Sequence, residues 1–157
     1  MLLKLFLVTL VAMFPLVELR GAIPIAAGMN LPVFLSLLAA MLGNMIPMPF
    51  IFTFGRQLLE KGAKVKYEPI RNFCKWCIKK GNNGSKKLLA KTKDSIYIAL
   101  LLFVGIPLPG TGAWTGTLAA TFLNLDFKKS MIAVGCGTLL AGLIMLAISF
   151  GVLDLLF

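Results

Sequence analysis

The sequence contains no histidine, and only six acidic residues stand against sixteen lysines and arginines. Without histidine the commonest metal ligand and general base is gone, and with it any Ser-His or Cys-His nucleophile system. Three cysteines, Cys74, Cys77 and Cys136, do not make an extracellular disulfide framework. Cys74-Lys75-Trp76-Cys77 is a lone CxxC, and a zinc site needs about four ligands. These two cysteines are therefore expected to pack on a helix face, and no metal or cofactor is expected.

What is abundant is apolar. The chain has 157 residues, is 59% hydrophobic and has a mean hydropathy of +0.91. That is an all-α integral membrane protein rather than a soluble domain. A net charge of +10 would suggest nucleic acid in a soluble chain. Its placement argues against that partner. Twelve of the sixteen basic residues lie between Arg56 and Lys93, and two more are Lys128 and Lys129. By the positive-inside rule residues 56–94 are a cytoplasmic connector, and the chain is a multi-pass protein of the inner (cytoplasmic) membrane. Lys4 followed by Leu5–Phe14 mimics a signal peptide. Only Glu18-Leu19-Arg20 follows, with no small-residue cleavage site, so retention of the segment is expected.

Two stretches interrupt the apolar pattern. Pro15–Pro24 places Glu18 and Arg20 two residues apart where the flanking residues say lipid. Each such charge costs about 2.5–3.5 kcal/mol at mid-bilayer, so the two must be buried against protein or water. The prolines remove backbone donors, which predicts an unwound turn across Pro15–Pro24. The counterpart is Pro107-Leu108-Pro109-Gly110-Thr111-Gly112-Ala113-Trp114-Thr115-Gly116.

Taken in order, Leu5–Phe14 and Ser95–Ile106 are each about half a bilayer long, a length that favours re-entrant segments. Each runs into a break and a short return, Ile25–Leu31 and Thr117–Asn124. Full-length apolar helices follow, Val33–Phe54, kinked by Pro47 and Pro49, and Met131–Val152. In the latter, Ala133, Gly137 and Ala141 form a small-residue stripe. Between the halves, Ile70, Phe73, Cys74, Cys77 and Ile78 share a face of a basic amphipathic helix, started by Pro69 and ended by Gly81. The chain is thus one membrane domain: repeat one at 1–55, the connector at 56–94 and repeat two at 95–157. Asn30-Leu31 matches Asn124-Leu125, and Gly43 matches Gly137. With both basic regions cytoplasmic, the repeats are inverted about the membrane plane, the arrangement in which discontinuous helices meet at a midplane site.

The candidate site is that meeting point: Glu18, Arg20, Gly21 and Pro24 from the first break, and Pro107, Pro109, Gly110, Thr111, Gly112, Trp114 and Gly116 from the second. Arg20 offers a planar fork suited to phosphate or carboxylate, and Glu18 is a proton-titratable partner. Amides at the starts of the two returns, at the glycine turn and after Pro24, would add partial positive ends. The structural alternatives are an ion pair holding a hairpin, and glycines that allow close packing. The glycine spacing does not fit a dinucleotide fingerprint, and no strand precedes it.

Pro15-x-x-Glu18-Leu19-Arg20-Gly21-Ala22-Ile23-Pro24, taken with Pro107-Leu-Pro109-Gly110-Thr-Gly112-Ala-Trp114-Thr-Gly116, resembles the putative small multi-drug export protein family over nearly the whole chain. That family is distantly similar to the DedA/VTT membrane proteins, whose inverted re-entrant hairpins are followed by spanning helices. The resemblance implies movement of lipids, polyprenyl-phosphate carriers included, and puts Glu18, Arg20 and the Pro107–Gly116 loop at the site.

The leading expectation is a transporter of an anionic or phosphate-bearing lipid, proton-coupled through Glu18. The alternatives are export of cationic compounds with Glu18 as the exchange carboxylate, and a membrane assembly protein. One intramembrane acid without histidine or a metal constellation points away from an enzyme. The expected partners are the bilayer with its anionic lipids, a small-molecule or lipid substrate, and a second copy in a homodimer.

Overall fold

A computed structural model of the chain describes residues 1–15, 17–72, 74–75, 79, 95–108 and 111–156. The regular elements among these residues are α-helices: α1 (Leu2–Met13), α2 (Glu18–Gly28), α3 (Val33–Met45), α4 (Met48–Gly62), α5 (Ser95–Gly105), α6 (Ala113–Phe122) and α7 (Phe127–Leu156). Among the described residues two stretches are long and apolar enough to cross a membrane, Val33–Gly62, made of α3 and α4, and Phe127–Gly151 in α7.

The short helices pair into two hairpins. The 12 residues of α1 and 11 of α5 would extend only about 16–18 Å. α1 and α2 pack together, and Lys4 at the start of α1 donates to the carbonyl of Met29 at the end of α2 (3.2 Å). In α5 and α6 the same closure is made by the Asp126 amide, just past α6, which donates to the Tyr97 hydroxyl (3.3 Å). Each hairpin therefore starts and ends at the same level, with its break at the far tip.

Both returns end in the same way. Asn30 (φ 53°) and Asn124 (φ 52°) take the left-handed conformation. After α2, the Asn30 amide bonds Ala27 and the Leu31 amide bonds Ala26; after α6, Asn124 bonds Thr121 and Leu125 bonds Ala120. This is the Schellman motif, with Leu31 and Leu125 buried as its apolar contacts. α3 and α7 start three residues after these asparagines and pack back on α1 and α5. A Cβ on Gly43 of α3 would overlap the Thr9 carbonyl of α1, and one on Gly137 of α7 would meet the Leu101 carbonyl of α5 at 2.6 Å. The predicted small-residue stripe is buried at Ala133, Gly137 and Ala141.

Two apolar clusters form the interior. One joins α1, α2 and α3 to Ala141 of α7. The other joins α4, α5 and α6 to Ala133 and Val134 of α7. The long helix α7 thus links the two hairpins.

Three expectations about elements are corrected. α1 ends at Met13 and α2 already begins at Glu18, and Pro24 lies inside α2 instead of ending the unwound stretch. Its ring faces outward, exposed, so the only backbone cost is the bond that the Arg20 carbonyl loses. Pro47 does not kink one helix but sits in a turn between two, α3 and α4. The helix then continues past Phe54 to Gly62, carrying Arg56 and Glu60 as an exposed i,i+4 pair. Residues 68–72, 74 and 75 of the connector are helical, as the amphipathic pattern predicts. Cys74 is buried, with its Sγ against Gly62. Phe73, Trp76, Cys77, Ile78, Gly81 and the turn at 81–84 lie outside the described residues.

Candidate functional site at the hairpin tips

At the first tip the Glu18 amide bonds the Phe14 carbonyl (2.9 Å) and the Gly21 amide bonds that of Val17 (2.9 Å). Glu18 itself is left-handed (φ 52°), uncommon for a side chain with a Cβ. Gly21 leaves room for Val17, whose side chain a Cβ there would overlap. This turn throws Glu18 and Arg20 out of the first hairpin and onto the second.

The Glu18 carboxylate, 6% exposed, accepts from the amides of Ala113 (3.3 Å) and Trp114 (3.1 Å). Those are among the first amides of α6, which have no partner within the helix. A charge at the positive end of a partly buried helix stabilises by up to about 2 kcal/mol. Gly112 makes the approach possible. Its backbone (φ 149°, ψ −174°) lies in a region essentially reserved for glycine, and a Cβ there would overlap the carboxylate.

Arg20 holds the other side of the same break. Its Nη2, with two N–H groups, shares them among the carbonyls of Val104 (3.3 Å) and Ile106 (3.2 Å) and the Thr111 hydroxyl (2.9 Å), and its Nη1 donates to the carbonyl of Leu108. Thr111 lies 2.9 Å from both the Ile106 and Leu108 carbonyls, and its one hydroxyl proton serves one of them at a time. A cation thus sits at the negative end of α5 as an anion sits at the positive end of α6.

Arg20 is half-buried. Neither its Nε–H nor its second Nη1–H finds an acceptor among the described residues. The buried Nε1–H of Trp114, next to the Glu18 contact, is likewise without one. The N–H groups of Arg20 and Trp114 that lack an acceptor among the described residues are all donors.

The structure brings together Glu18, Arg20, Thr111, Gly112 and the Trp114 amide, with Pro107 half-buried between the carbonyls that Arg20 engages. Gly116 is buried against Val104 of α5, where it lets the second hairpin close. Pro24 is not at the start of the first return, which begins at Glu18, so it contributes no amide-rich end there. Pro109 and Gly110 lie outside the described residues. The sequence pattern missed the main partners of the two charges, because the Val104, Ile106 and Leu108 carbonyls and the Ala113 amide are backbone groups without a side-chain signature.

A family model described as "Putative small multi-drug export protein" matches residues 18–144, from Glu18 through both tips and into α7. The chain belongs to this family. No curated protein and no solved structure matches the chain. Membership of an export-protein family and the two long apolar stretches together make this small multi-drug export family member a membrane protein. The family is one of transport rather than of an enzyme class.

Proposed function

We propose that this small multi-drug export family member is a transporter of the inner membrane in which two half-span hairpins enter from opposite faces. They form an inverted repeat whose tips meet as the barrier between the two sides. The substrate is an amphipathic anion, most simply a phosphate-bearing lipid, taken up when the tips part. The observation that carries this is Arg20. It reaches from one hairpin into the break of the other, and among the described residues two of its N–H groups have no acceptor. Residues 56–94 belong on the cytoplasmic side by their basic charge.

A second reading, export of cations through Glu18, is favoured by the family's name. Both oxygens of Glu18 are occupied by amides, and the carbonyls that would attract a cation are taken by Arg20. A cation must therefore displace Arg20, whereas an anion need only add to it.

Reconstituted transport of a polyprenyl phosphate, a phospholipid and a cationic dye tests the choice. The anion reading expects phosphate-bearing lipid to move and Arg20→Ala to lose its binding while the protein still inserts. Dye export that survives Arg20→Ala and is abolished by Glu18→Gln would replace that reading with the second.

A further inference from the structure

At the base of the second hairpin, away from the tips, a groove of about 290 Å³ runs between α5 and α7. Its walls are apolar: Ile98 and Leu101 on α5, Ile132 and Cys136 on α7. One end is different. There Lys129 lies with its Nζ 5.6 Å from the centre of the Tyr97 ring, close enough for a cation–π contact that holds the ammonium over the groove. Tyr97 is itself fixed by the Asp126 amide. Lys129 is exposed and makes no ion pair among the described residues.

The start of α7 is already capped by one acid: the Asp126 carboxylate accepts from the Lys129 amide (2.9 Å). Against that single negative charge stand two cations, Lys128 and Lys129, so this end keeps a positive excess that an anion at Lys129 would relieve. Lys129, Ile132 and Cys136 then follow one face of α7 for about 10 Å into the apolar stretch. A positive head and an apolar trough in one line match the two ends of a lipid molecule.

We infer that the α5–α7 groove binds one anionic phospholipid, its phosphate on Lys129 and an acyl chain along Ile98, Leu101, Ile132 and Cys136. The site is separate from the tips and does not depend on what they transport. It fits a lipid of the leaflet that faces the basic connector, and it would fasten the base of the second hairpin to α7.

Cys136 is exposed within the groove and serves as the reporter. In full-length protein carrying Cys74→Ala and Cys77→Ala, in neutral micelles, the rate of maleimide addition to Cys136 is measured. The additions are dilauroyl phosphatidylglycerol, dilauroyl phosphatidylcholine or inorganic phosphate. One lysine at a membrane surface distinguishes anionic lipid by about fivefold, so phosphatidylglycerol should slow the reaction about that much more than phosphatidylcholine. Lys129→Gln should erase the difference, and Lys129→Arg should keep it. Each variant's melting temperature shows that it is folded. Equal protection by both lipids, protection by phosphate alone, or a lipid preference that survives Lys129→Gln would overturn the inference. So would slow labelling without lipid, which would mean that the chain itself fills the groove, or protection that rises with protein concentration, which would mean a second copy.

Discussion

Glu18 and Arg20 are two residues apart on one helix and do not bond each other. Each takes a different end of the break in the other hairpin, Glu18 the amides that open α6 and Arg20 the carbonyls that close α5. The two charges sort themselves by backbone polarity.

The pair should therefore not behave as a mutual ion pair. Glu18→Gln and Arg20→Ala are each expected to lower stability, by about 1–3 kcal/mol for a lost charged hydrogen-bonding group. The double variant should be no more stable than the weaker single one, because each change leaves its own backbone partners bare. Melting of the two singles and the double decides this, and restoration of stability in the double would mean that the charges chiefly serve each other. In transport assays Glu18→Gln should also flatten the dependence on pH, because the residue no longer exchanges a proton.

Gly112→Ala is expected to be costly for two separable reasons. The backbone conformation alone costs about 1–3 kcal/mol for a residue with a Cβ, and the new methyl displaces the Glu18 carboxylate. Combining it with Glu18→Ala removes the overlap and leaves the strain. Thermal unfolding of the three variants should give a double change smaller than the sum of the singles.

Two glycines should respond in opposite directions. Gly137→Ala pushes α7 off the Leu101 carbonyl and should destabilise by about 1–3 kcal/mol, the usual cost of overpacking. Gly28, with nothing near its added Cβ, should gain about 0.5–1 kcal/mol on change to Ala. Melting temperatures suffice, and a destabilised Gly28→Ala beside a neutral Gly137→Ala would contradict the packing described.

Accessibility labelling tests the membrane arrangement. In a background lacking the native cysteines, Leu2→Cys and Gly28→Cys, at the two ends of the first hairpin, should both react from outside. Lys128→Cys and Asn83→Cys should react from the cytoplasm. Leu2 and Gly28 labelled from opposite sides would mean that this segment crosses the membrane rather than folding back.

Much of the architecture was legible because it rests on local chemistry. Apolar runs too short to span gave the half-helices, and the match of Asn30-Leu31 to Asn124-Leu125 marked the equivalent points where the two returns end. The small-residue stripe of Ala133, Gly137 and Ala141 marked a face for close helix contact but not which helix it meets. Proline was the less reliable guide. Pro24 suggested a helix boundary, yet one proline with its ring facing outward removes a single bond, and the buried residues around it keep α2 intact. Pro47 suggested a kink where the chain turns between helices instead. The partners of Glu18 and Arg20 were legible only in part: Thr111 and amides at the glycine turn were expected at the site, but not which charge each serves. The remaining partners are main-chain carbonyls more than 80 residues away, which have no side-chain signature.

The placement of both charges on α2 has an electrical consequence. In the transport proposed above, a hairpin tip that carries one positive and one negative group moves no net charge through the membrane. Its motion is then indifferent to voltage. Once Glu18 takes up a proton, the same motion carries the single charge of Arg20, and 100 mV across the full membrane is worth about 2.3 kcal/mol to it. Protonation at one residue would thus decide whether the hairpin feels the membrane potential.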